Sequence, residues 1–299
     1  MKTKEISSVN LRKGNLKKNF KAFYSPQQIK NMRNFILENK HLNPKIDGVE
    51  IMRMMDSMDS FNAFYKGLKS ISAQGVANEL YRKMGIPADF NGDKILAGCC
   101  GLVANIFHHL HLPQPKGIYK TALEPNVLGC CNGMTRILKF TSDFDWNKIQ
   151  NEAIEAKVCN FSSSGHFLKT ILHEFFHNVQ VKQLHDIAKR RTSSPLINTK
   201  VFEILGFNPD FKTKLILDNM AKISNEKVKR LLEEKVSSYG ATLPAEAYTE
   251  TVTKMVTDVL NKKTLRPICN PFVYKEFTQD KALMEILTDF YTGNFQKYI

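Results

Sequence analysis

The segment His173-Glu174-Phe175-Phe176-His177 constrains this chain more than any other feature, because it must satisfy a core and a chemical site at once. In an α-helix, residues four apart lie one turn above each other, so His173 and His177 project from the same side. Around them Leu168, Ile171, Leu172, Phe175, Phe176 and Val179 recur at helical spacing and predict an apolar face turned inward. Glu174 is the only acidic or basic residue, histidines aside, between Thr170 and Lys182. A solvated surface helix with two incidental histidines would not read this way. A carboxylate isolated among core-facing residues needs a partner or a task.

The pattern is HExxH. Two imidazoles one turn apart hold a single tetrahedral Zn²⁺ and leave room for a third protein ligand and a water. Glu174 then stands where a general base must stand, and the metal brings the water's pKa toward neutrality. The extended form HExxHxxGxxH is excluded, since Gln180 and Gln183 occupy its glycine and its last ligand position. The remaining common form takes a glutamate from a later helix, with a carboxylate four residues on that orients a ligand histidine. Glu246/Glu250, Glu276/Asp280 and Glu285/Asp289 all have that spacing, and spacing alone leaves the three open.

Glu246 lies in Ser237-Ser238-Tyr239-Gly240-Ala241-Thr242-Leu243-Pro244-Ala245-Glu246-Ala247-Tyr248-Thr249-Glu250. This stretch resembles the second motif of the anthrax lethal factor catalytic domain and of the related lethal-factor-like and phage-associated gluzincins, approximately S-Y-G/A-x-x-x-x-x-E-x-x-A-E. The resemblance implies a zincin-like α+β domain, Glu246 as third ligand, Glu250 as the supporting carboxylate, and Tyr239 as hydroxyl donor to the oxyanion. Thr249 stands where that family usually has Ala, and Leu243-Pro244 replaces a more polar pair. The long gap from His177 to Glu246 implies an insertion over residues 195–236. In zincin folds an edge strand beside the active-site helix accepts extended substrate, and Ile137-Leu138-Lys139-Phe140 is the candidate here. His166, seven residues before His173, is expected two turns up the same face, about 10 Å away, in a structural or rim role.

Elsewhere the chain divides by character near residue 112. Residues 1–111 read as a basic, mainly helical region, and residues 112–299 as the catalytic domain. Ser25-Pro26-Gln27-Gln28 predicts a capped helix through Ile29, Met32, Phe35 and Ile36. Further helices are expected over about 59–84, ending at Gly85-Ile86-Pro87, and over about 93–110. Residues 117–123 and 134–140 are β-rich and flank a turn-prone link, which predicts an antiparallel pair. Ser162-Ser163-Ser164-Gly165 offers N-caps for the HExxH helix, which should run toward Lys189, and mainly helices should follow Pro195.

Of the net charge of +14, residues 1–45 contribute eleven Lys/Arg against Glu5 and Glu38. Such a start suits an acidic partner or surface; no nucleic-acid-binding motif accompanies it, so nucleic acid is not the expected partner. Met1 to Phe20 lacks the apolar stretch of a signal peptide, and no run is long enough for a transmembrane helix. A cytoplasmic protein, or one exported without a classical signal, is the expectation. Cys99-Cys100, Cys130-Cys131, Cys159 and Cys269 lack CxxC spacing, so they are expected as reduced thiols rather than as a second metal site with His108, His109 and His111. The expected activity is therefore zinc-dependent hydrolysis of a protein or peptide. A toxin, effector or phage assembly protein that only binds a partner would keep the fold and lose the base, and Glu174 is present.

Overall fold

The computed structural model describes residues 23–191, 222–261, 281–292 and 295–298. It is a mixed α+β structure, mainly helical, with one four-stranded sheet. The helices are α1 (Pro26–Asn39), α2 (Gly48–Gly67), α3 (Ala73–Met84), α4 (Lys94–His109), α5 (Ile149–Val158), α6 (Lys169–Arg191), α7 (Glu226–Lys235), α8 (Pro244–Asn261) and α9 (Lys281–Thr292). The strands are β1 (Ala88–Asp89), β2 (Gly117–Thr121), β3 (Gly129–Cys131) and β4 (Ile137–Thr141). Among the described residues no helix is long and apolar enough to cross a membrane.

Local signals account for most helix boundaries. Ser25 and Gln28 form the reciprocal capping box that starts α1. Asp47 caps α2, whose beginning lies well before the expected Asp59. The stretch expected as one helix over 59–84 is two. The chain tightens at Leu68–Ser70, and Ser72 accepts the Gly75 N–H to open α3. That helix stops at Gly85, whose φ of +68° gives the left-handed turn in which Gly85 and Ile86 donate to Tyr81 and Leu80. Asp93 caps α4 through two backbone N–H groups.

The sheet order is β1-β2-β4-β3. β2 and β4 are parallel, Gly117 to Thr121 facing Ile137 to Thr141, and the expected antiparallel pair is therefore corrected. The reason is the short strand β3, which precedes the Asn132–Arg136 turn and forms the hairpin with β4. With β3 as its antiparallel partner, β4 runs in the same direction as β2. A second correction follows. Residues 137–140 lie inside the sheet, and β3 is the edge strand beside α6.

A single apolar cluster joins the N-terminal helices, the sheet and α6, with Phe107 of α4 meeting Phe175 and Phe176 at 5.1 and 5.0 Å between ring centroids. It contains residues from both sides of position 112. All six apolar residues named around the HExxH segment are buried, and so are Asn178 and Gln180, so α6 is enclosed on nearly every side. A second cluster gathers α7, the inner side of α8, and α9.

Ser162 to Ser164 do not cap α6. They form a buried loop whose hydroxyls hold α8: Ser163 Oγ donates to the Glu250 carbonyl at 2.7 Å, and Ser164 Oγ pairs with Thr257 at 2.7 Å. The cap is His166, which precedes the helix rather than sharing its face. Its carbonyl takes the Lys169 N–H, and its Nδ1 takes the Leu168 N–H at 3.1 Å. Burial drives the imidazole pKa down from 6.5 to about 3, so the ring is neutral with its proton on Nε2. Between those values the unfolded chain holds a proton that the folded chain does not, and folding stability must rise with pH across that window. His166→Asn keeps an acceptor but cannot titrate. From pH 6.5 to 5 wild type should lose about 1.6 kcal/mol more stability than this variant, read from denaturant midpoints.

Candidate metal centre

Helices α6 and α8 make the most extensive pairing between helices among the described elements, and their contact face carries the site. His173 and His177 follow each other up α6 with rings edge to face, 4.6 Å between centroids. Opposite them Pro244 opens α8, which places Glu246 in its first turn. Glu246 Oε2 lies 2.9 Å from His173 Nε2 and 3.3 Å from His177 Nε2. Tetrahedral ligands at zinc distances of 2.0–2.1 Å are about 3.3 Å apart, so both imidazoles already stand near that spacing from Glu246, and all three atoms lie within 4.8 Å of one another. Among the described residues they are the one group of three such side chains positioned to share an ion.

Charge points the same way. Glu246, Glu250 and Glu174 are all at least 94% buried, and three carboxylates without a cation would be severely penalised. Burial opposes ionisation of Glu246, yet His177 and His173 hold its carboxyl well below the usual range. Burial also disfavours a charged His173, but hydrogen bonds to Glu246 and Glu250 outweigh it and raise that imidazole to about 10. A divalent cation would satisfy the same negative field. The donor set, two imidazoles and a carboxylate, suits zinc.

Glu250 supports the first histidine. One oxygen lies 3.0 Å from His173 Nδ1, while the other accepts from the Ser163 N–H at 2.6 Å and Ser237 Oγ at 3.1 Å. Burial would raise its pKa; His173, Lys169 and the Ser163 amide outweigh that and lower it to about 2. An ionised Glu250 fixes the His173 proton on Nδ1 and leaves Nε2 directed at Glu246. His177 Nδ1 is 3.0 Å from Thr249 Oγ1.

Glu174 is buried, and its Oε2 has no hydrogen-bond partner. Burial raises its pKa, with the Glu246 charge adding to the rise and the two histidines opposing it. It packs against the edge strand: a Cβ on Gly129 would meet Glu174 Cγ at 2.8 Å. Tyr239 lies in the turn before α8, its ring 5.9 Å from that of His173 and stacked on Phe161 at 5.1 Å. Burial, followed by the charges of Glu246, Glu174 and Glu250, keeps its hydroxyl protonated far above neutrality.

The structure thus brings together His173, Glu174, His177, Tyr239, Glu246 and Glu250. Of the other pairs, Glu285 and Asp289 lie on α9 and bind Lys297, and Glu276/Asp280 lies outside the described residues. Most of the expected insertion, the basic start to residue 22 and Cys269 also lie outside them. The remaining cysteines are free thiols, and His108, His109 and His111 are exposed at the end of α4.

Sequence reasoning missed a further layer. Lys157, almost fully buried on α5, donates to the Ser163 carbonyl at 2.9 Å and lies 3.6 Å from Glu50 of α2. A continuous path runs from Glu50 through Lys157 and Ser163 to Glu250 and His173. No spacing rule links residues this far apart in sequence. No family model, curated protein or solved structure matches the chain.

The Lys157–Glu50 pair makes a testable case. Lys157→Met leaves the buried Ser163 carbonyl without its donor and takes from Glu50 one of its two cationic partners, Arg53 being the other, and should cost about 3–5 kcal/mol in denaturant unfolding. Adding Glu50→Leu should recover part of that loss in the double variant.

Proposed function

We propose that this protein is a zinc-dependent endopeptidase of the gluzincin type. The observation that carries this reading is the convergence of His173, His177 and Glu246 from two helices, with the buried Glu174, whose Oε2 has no partner, next to His173 in the same helix. The motif resemblance around Tyr239, Glu246 and Glu250 supports the same class.

His173, His177 and Glu246 would hold the zinc, which would supply a Lewis acid for the scissile carbonyl and lower the pKa of a water at the site. Glu174 is suited to take that water's proton, because burial lifts its proton affinity above that of an ordinary carboxylate. It then carries the proton to the departing amine. Tyr239 enters as a neutral donor, since its hydroxyl stays protonated, and stabilises the developing oxyanion. Strand β3 forms the rim on the Glu174 side. It ends the sheet, so an extended peptide can add alongside it and lie across the ligands.

Purified protein should contain one zinc per chain and cleave a generic unfolded protein substrate. His177→Ala/Glu246→Ala should lose both metal and cleavage, and stoichiometric zinc in that variant would refute the ligand set. Glu174→Gln should keep zinc while losing cleavage by at least about 10²-fold.

Gly129 provides an independent check on the base. In Gly129→Ala the added methyl group meets both Glu174 and the Phe140 ring, at 3.1 Å for the latter, so the carboxylate must shift. Turnover should fall about 10²-fold with zinc content unchanged, because a displacement of about 1 Å at a reacting group has that effect. Wild-type turnover in this variant would show that Glu174 does not act from its observed position.

A further inference from the structure

Each ligand histidine needs its Nδ1 proton fixed if Nε2 is to offer a lone pair to a metal. Glu250 does this for His173. For His177 the neighbour is Thr249, whose hydroxyl oxygen makes two contacts: 3.0 Å to His177 Nδ1 and 2.7 Å to the Ala245 carbonyl one turn earlier. A threonine hydroxyl has one proton, and a carbonyl oxygen has none to give. The 2.7 Å contact therefore consumes the hydroxyl proton, since two oxygens at that distance without a hydrogen between them would repel. What is left on Thr249 can only accept. The donor across the 3.0 Å contact is then His177 Nδ1–H, and Nε2 is left bare, facing Glu246.

We propose that Thr249 is a positioning residue of the metal centre, holding His177 in the tautomer and ring plane that ligation requires. The inference rests on the reading of His177 as a zinc ligand. Thr249 is fully buried, and a helical threonine bonded to the carbonyl four residues back is locked in one rotamer. Its oxygen is therefore held in one place. An alanine here, as the resemblance would have it, leaves the Nδ1–H with no acceptor on α8. One helical turn thus supplies a ligand, Glu246, and an acceptor for each ligand histidine: Glu250 for His173 and Thr249 for His177.

The test is zinc affinity by competition with a chromophoric chelator, in wild type, Thr249→Val and Thr249→Ser. Valine keeps the shape and removes the acceptor, so affinity should fall about ten- to a hundred-fold. Serine restores the acceptor and should bring affinity back near wild type. Long-range proton–nitrogen spectra of the zinc-loaded wild type should show a slowly exchanging proton on His177 Nδ1, which Thr249→Val exchanges faster. Unchanged affinity in Thr249→Val, or no rescue by serine, overturns the proposal while leaving the zinc site intact. If Thr249→Val does not fold, the wild-type spectrum decides, and a His177 without an Nδ1 proton overturns it. Stoichiometric zinc in Glu246→Ala with wild-type affinity instead overturns the ligand reading, and with it this inference.

Discussion

The packing of α6 against α8 is the constraint on which the rest of the structure depends. Each helix alone carries an arrangement that would be costly if buried. α6 presents two histidines and a glutamate from an enclosed core position, and α8 presents two carboxylates and a threonine hydroxyl. Face to face, these groups answer one another: carboxylate to imidazole, imidazole to hydroxyl. The apolar face of α6 fixes the rotation of that helix and so aims its histidines at α8.

The loop before α6 ties this face to the remainder of the chain. Its backbone and hydroxyls grip α8 through Ser163 and Ser164, and Lys157 holds its carbonyl from beneath. Glu50 and Arg53 of α2 extend the same network to Asp258 at the far end of α8. The helices before residue 112 are thus physically continuous with the support of the site. Buried ion pairs add little net stability against an apolar alternative, but they are intolerant of losing one member. Such a network specifies an arrangement more than it strengthens it.

Much of the centre was legible in sequence because helices write their geometry in short spacings. His173 and His177, Glu246 and Glu250, Ser25 and Gln28, and the apolar stripe of α6 are all local patterns. The sheet was less legible. β3 is three residues long and consists of Gly129, Cys130 and Cys131, with none of the alternation that marks a half-buried strand, so the sequence pattern points to β2 rather than β3 as the hairpin partner of β4. The serines of 162–164 look like caps, yet partners on α8 claim the hydroxyls of Ser163 and Ser164. Thr249 was visible only as a departure from a motif. Its role depends on two distances, and spacing carries no distances.

The five residues from Glu246 to Glu250 also set what this chain can tolerate over time. An α-helix advances about 100° per residue, so one residue gained or lost between Glu246 and Glu250 would swing the later positions away from α6. Glu246, Thr249 and Glu250 would then no longer share the face turned to His173 and His177, whatever their identities. A substitution at Ala247 or Tyr248 leaves these positions on one face, whereas a change of length displaces them in one event. The turn should therefore stay fixed in length, unlike a surface loop, which tolerates insertion and deletion.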